Sequence, residues 1–419
     1  NPDKTLKIEE KGSVYNEMST SMNNPYSQLY NTMGRFVYGD AHPLSFSAGG
    51  LPSGIRELGA TEIQRFHDAN YHLWNMGAIT SLPKTMPLGS VLTETNNILN
   101  RLDPNPVKPE NNYNPKLPPA KPAEPGKIVI VDYPGSNEQE PGNMLLSYPA
   151  DRTLTATEEL LLSNFLAVFA GDANTNLYKK FIDSKTREID LGAQSVYAYV
   201  DDNMGQPVFF GINDISVSNL TTEKAALIRK MILDELLRVA SFKDSSPELK
   251  EFNSRFKNNL TDTRRGLTKF INTPPKFGFR NTFDSWYSQI EELGKTKDFR
   301  KSVILKPQFE EIEKLLASGK NFWKEYLTQW KLVSENPYVV VCKASASLIE
   351  KNEADRKERV QNELNRLKTK YNTADEQAAI AAYKAEYDAN TAILENLEKS
   401  HAMKFIDNPP LSVDQELNY

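Results

Sequence analysis

Apolar residues recur at helical spacing from Asn24 to Val37, and the turn residues Gly39-Asp-Ala-His-Pro43 then stop the pattern. A second helix is predicted to begin at Thr61, where Ile63, Phe66, His67, Asn70 and Tyr71 give a partly apolar face, and a third covers Leu88–Leu102 on Val91, Leu92, Ile98 and Leu99. Ala78–Leu82 reads as a short strand between them. Alternation of this kind predicts an α+β layer with helices on one face of a sheet.

From Asp103 the pattern dissolves. Pro104, Pro106, Pro109, Pro115, Pro118, Pro119, Pro122 and Pro125 exclude a helix or a central strand, so 104–126 is read as an extended, semi-rigid linker separating two packed units. Beyond it Lys127–Pro134 and Asn143–Tyr148 are predicted as two strands joined by a Gly/Pro-containing turn. Thr155 and Glu158 form a capping box ahead of an apolar helix to Phe169; strands follow at Ser195–Val200 and Pro207–Asn213, and Thr221 opens a helix through Val239. Strand, strand, helix, strand, strand, helix hints at a repeat of the first unit. Further helices run to Trp330, and Tyr338–Cys342 closes the unit as a buried strand. The expected divisions are 1–103, 104–126, 127–343, 344–405 and 406–419. The fourth is a helical hairpin, with stripes Val360, Leu364, Leu367, Tyr371 and Ile380, Tyr383, Tyr387, Leu394, Leu397 around a turn capped by Thr373 and Glu376; the fifth is an extended tail.

Composition narrows the function classes. A net charge of −5 and a pI near 5.7 supply no general basic field, which argues against nucleic acid or an anionic membrane as partner. No apolar run reaches the roughly 18 residues of a membrane span. One cysteine, Cys342, rules out an internal disulfide framework and a cysteine-based zinc site. The histidines are His42, His67, His72 and His401; His67 and His72 stand five apart and are read as structural.

Near the start, Lys11-Gly-Ser-Val-Tyr-Asn-Glu17-Met places a carboxylate in an apolar and amide-rich segment. On residue type alone Glu17 is an ordinary surface acid. The order of motifs adds a second reading. K-G-x-V-x-N-E-M is followed by Tyr26-Ser-Gln, by His42–Leu58 with its core Phe46-Ser-Ala-Gly-Gly-Leu-Pro-Ser-Gly-Ile55, and by Thr61–Asn75. Asp132-Tyr-Pro, Glu140-Pro-Gly-Asn143, Asn176–Asp183, Asn336-Pro-Tyr-Val-Val-Val341, the hairpin and Leu411-Ser-Val-Asp414 then appear in turn. Taken together these resemble the M16 (pitrilysin-type) zinc metallopeptidases, in the presequence-protease and falcilysin branch. The resemblance implies two α/β sandwich units, the first incomplete, followed by the hairpin that joins two halves of a clamshell. It implies zinc as cofactor, with Glu17 as third protein ligand, and peptides or unfolded segments as substrates. Glu10, seven residues earlier, would share a helical face with Glu17 if the segment were helical, and would support it from outside the ligand set; a solvated Glu9-Glu10-Lys11 run explains it equally.

One departure is decisive for activity. The family's H-x-x-E-H, which supplies two histidine ligands and the general base, does not occur in this sequence. The chain is therefore expected to be part of a longer polypeptide or one chain of a split enzyme, inactive alone, whose partners are the H-x-x-E-H segment and the C-terminal half. The alternative is a non-catalytic scaffold or substrate-binding subunit of the same fold.

Overall fold

Five strands form one sheet: β1 (Ile128–Pro134), β2 (Gly142–Ser147), β3 (Ser195–Val200), β4 (Val208–Ile215) and β5 (Tyr338–Ser345). The computed structural model describes residues 5–73, 76, 86–104, 117–272 and 305–400. Their order across the sheet is β1-β5-β2-β4-β3. β1 and β5 run parallel with Ile128 opposite Val339, and the other neighbours are antiparallel. The first two strands are thus not the adjacent pair that the turn between them suggested, because β5 lies between them. Tyr338-Val-Val-Val-Cys342 is apolar on both faces and lies deep in the sheet, and its parallel partner requires the long crossover that residues 135–337 supply. Local turn chemistry carries no record of a partner that distant.

Side-chain alternation divides the sheet into two apolar faces. Met144, Leu146, Phe210, Ile212, Val339 and Val341 point to one side. There they meet α6 (Ala156–Phe169), α7 (Asn176–Phe181), α8 (Thr222–Ala240), α9 (Pro247–Asn272), α10 (Lys306–Ala317) and α11 (Trp323–Gln329). Trp323 is the centre of this core: its ring touches Phe165, Phe252 and Phe256, and its Nε1–H donates to Asn253 Oδ1 at 2.8 Å. The predicted caps hold here. Thr155 Oγ1 accepts from the Glu158 amide while Glu158 Oε2 accepts from the Thr155 amide, and Thr221 accepts from the Lys224 amide.

Leu145, Phe209, Val340 and Cys342 point to the other side, where α2 (Pro25–Tyr38) covers them with Leu29, Met33, Phe36 and Val37. Described contacts divide the chain into one unit drawn from Glu17–Gly50 and Pro118–Lys351 and another drawn from Asn1–Asn16, Leu51–Leu117 and Asn352–Tyr419. The sequence places α2 before the proline-rich boundary; its buried stripe groups it with the sheet beyond that boundary. The described end of the proline-rich stretch is fastened as well. Lys121 and Ala123 donate to the Tyr38 and Phe36 carbonyls, and Tyr338 Oη donates to the Ala123 carbonyl.

The other unit contains α3 (Pro52–Ile55), α4 (Ala60–Asn70), α5 (Leu88–Leu102) and the hairpin of α12 (Ala346–Lys370) and α13 (Glu376–Ser400). The strand expected at Ala78–Leu82 and the tail from 406 lie outside the described residues. At the hairpin turn Asn372 takes φ +50°, and the helix cap is Asp375, whose Oδ1 accepts from the Ala378 amide. Thr373 instead accepts from the Asp375 amide, so the expected Thr373–Glu376 box is not formed. Glu376 pairs with Lys368 across the turn at 2.9 Å.

Candidate functional site

Glu17 lies in α1 (Ser13–Met22), whose first described helical bond runs from the Asn16 amide to the Gly12 carbonyl. Met18, Ser19 and Met22 form the half-buried side of the helix, and Glu17 and Thr20 are exposed. Met18 seats that side. Its sulfur lies over Gly49, where a Cβ would come within 2.0 Å of it, so a larger residue there would require the flexible thioether to shift. Two of the sequence motifs, N-E-M and A-G-G, are therefore in contact through Met18 and Gly49. The helix ends where Asn24 caps α2 by accepting from the Tyr26 amide, and Gln28 Nε2 donates to the Met22 carbonyl at 2.5 Å. Among the described residues no hydrogen bond or ion pair engages the Glu17 carboxylate.

Glu10 precedes this helix, which begins at Ser13, so the two acids do not share a helical face. Its carboxylate takes both forks of Arg359 in α12, at 2.6 Å from Nε and 3.1 Å from Nη2, and accepts from Tyr15 Oη at 2.8 Å. Arg359 holds the Glu10 carboxyl below its ordinary range, against the opposing effect of burial. Arg56 completes the group, donating to Tyr15 Oη at 3.2 Å. Sequence reasoning did not find Arg359; a lone arginine in a charged helix gives no signal of its partner.

His42 and His67 serve structure or solvent. His42 is buried and caps a 3-10 turn: Nδ1 accepts from the Leu44 amide, which leaves Nε2–H to donate to the Pro118 carbonyl at 2.8 Å. Both ring nitrogens are thereby used. His67 is exposed on α4 and stacks on Tyr71 at 4.7 Å. His401 lies outside the described residues. Cys342 is buried in β5, and burial, with a smaller effect from Asp132, pushes its thiol up to about 12. It is a packing residue.

Among the described residues no three His, Cys, Asp or Glu side chains gather as a metal group. Glu17 is one free carboxylate, and the described donors do not make a zinc site by themselves. What they present is an accessible acid on a helix whose half-buried side rests on Gly49 through Met18.

The architecture recurs among solved structures. A protease from Helicobacter pylori is matched over 81% of this chain and 73% of its own, at 13% identity and a TM-score of 0.52. A conserved protein from Enterococcus faecalis V583 is matched over 80% and 67%, at 7% identity and a TM-score of 0.52. A chain described as an M16-like peptidase from Alicyclobacillus acidocaldarius is matched at 14% identity and a TM-score of 0.47. At these identities the likeness is one of fold. No protein-family model matches the chain, and none of the curated proteins does.

Proposed function

We propose that this chain is the part of an M16-type zinc metalloendopeptidase that supplies the third metal ligand, Glu17, and that the complete protein cleaves peptides or unfolded segments. The observation that supports this reading is the seat of Met18 on Gly49, which brings two motifs of the resemblance together beside Glu17, whose carboxylate has no partner among the described residues. The protease fold of the Helicobacter pylori chain agrees with it. In such an enzyme zinc would supply a polarised water as nucleophile. This chain would contribute one anionic ligand, and the two histidines and the general base would come from a segment carrying H-x-x-E-H. Glu10 would act on Glu17 only indirectly, through the start of α1.

A second reading stays open, a scaffold or substrate-binding subunit of the same fold that needs no metal. Native mass spectrometry with metal analysis of the assembled protein separates the two. The peptidase reading expects zinc in the complex and loss of most of it on Glu17→Gln, with the assembly intact. Equal zinc content before and after the substitution overturns the ligand role, and a zinc-free assembly supports the scaffold.

A further inference from the structure

Ahead of α1, residues 6–11 alternate in a way that helix and sheet do not account for. The odd positions form a surface chain of charges in which Glu9 pairs with Lys7 at 3.0 Å and Lys11 at 2.6 Å. Leu6, Ile8 and Glu10 are half-buried, and residues 6–11 together line a cleft with Val360 of α12 and Ile380 and Tyr383 of α13. Two fastenings are specific. Gln377 accepts from the Leu6 amide at 2.8 Å and donates to the Leu6 carbonyl at 3.0 Å, a side-chain amide reading both backbone groups of one residue. Four residues later Arg359 takes Glu10 by two bonds.

These anchors fix the conformation of the segment between them. Gln377 stands at the turn end of the hairpin, and Arg359 lies about 16 Å along the axis from the end of α12 at a rise of 1.5 Å per residue. Four residues reach at most about 14 Å. The segment therefore runs along the helices near full extension, with side chains completing the distance. Backbone groups read by one side chain, apolar side chains at alternate positions and a terminal carboxylate on an arginine are the parts of a peptide-recognition surface. A cleft of about 1100 Å³ remains open beside the strap.

We propose that the hairpin of α12 and α13 is a binding surface for an extended peptide with two alternate apolar residues and a carboxylate two positions on, and that residues 6–10 occupy it in cis as a latch on the start of α1. The inference rests on the hairpin alone and is independent of the peptidase reading. Tyr15 transmits it: the hydroxyl that donates to Glu10 belongs to the first turn of α1.

A charge exchange tests it in the full chain. Arg359→Glu should speed amide exchange at Asn16 about tenfold, and adding Glu10→Arg should restore the original rate. An eight-residue peptide of the sequence 5–12 carrying Glu10→Arg, added to the Arg359→Glu chain, should protect the amides around residue 359; the unmodified peptide should not. Unchanged exchange in Arg359→Glu, failure of the double variant to recover, or equal response to both peptides would each overturn the proposal.

Discussion

At Gly211 the backbone of β4 passes beneath the ring of Tyr197 on the neighbouring edge strand, so closely that a Cβ would lie 2.1 Å from the ring carbon bearing the hydroxyl. The ring in turn sets its hydroxyl 3.2 Å from that of Tyr30 in α2, and burial, followed by this contact, raises the Tyr197 phenol well above its ordinary value. Gly211→Ala must push the ring off this seat. Overpacking of this kind costs about 1–3 kcal/mol, and the expected outcome is a lower denaturation midpoint with unchanged slope. An unaltered midpoint would mean that the ring relaxes freely. Met18 over Gly49 is a similar close approach at the candidate site, beside Glu17.

At the scale of elements, α1 is held from outside itself. Its residues make a weak helix, with no acid in the first turn and no base in the last, and its start depends on Glu10 and Arg56 meeting Tyr15. This gives a pH dependence of definite sign. Glu10 titrates below its ordinary 4.5 because Arg359 binds its charged form, so the fastening is complete above that value and is lost as pH falls through the lowered one. Arg359, Tyr15 and Arg56 are the groups that face it. The Arg359 Nε–H resonance, protected at pH 6, is expected to lose protection only below pH 4.5. Loss already between pH 6 and pH 5 would contradict the pairing.

In the whole molecule the sheet is covered on both faces, and the less extensive cover is α2. Met33 is fully buried there. Met33→Ala should cost about 2–5 kcal/mol through the cavity it leaves, read as a lowered midpoint for the sheet unit. A cost near zero would mean that α2 is not part of that core. The opposite face is better supplied. Glu235, nearly buried on α8, accepts from Asn176 and pairs with Arg238, and Arg255 binds the same asparagine; α7, α8 and α9 are thereby tied together.

Local chemistry sufficed for what depends on neighbours in sequence. The helices at Pro25–Tyr38 and Leu88–Leu102, the caps at Thr155 and Thr221, the hairpin and each of the five strands follow from periodicity and capping types, which act within a few residues. Motif order pointed to Glu17, and its exposed position is compatible with either reading made of it from residues alone. Long-range pairing decided the rest. The insertion of β5 between β1 and β2, the grouping of α2 with the sheet and the capture of Glu10 by Arg359 join residues 349 or fewer positions apart, and no local rule encodes which of many equivalent apolar strands or arginines becomes the partner. That choice is made by burial and by charge pairing once the chain is compact.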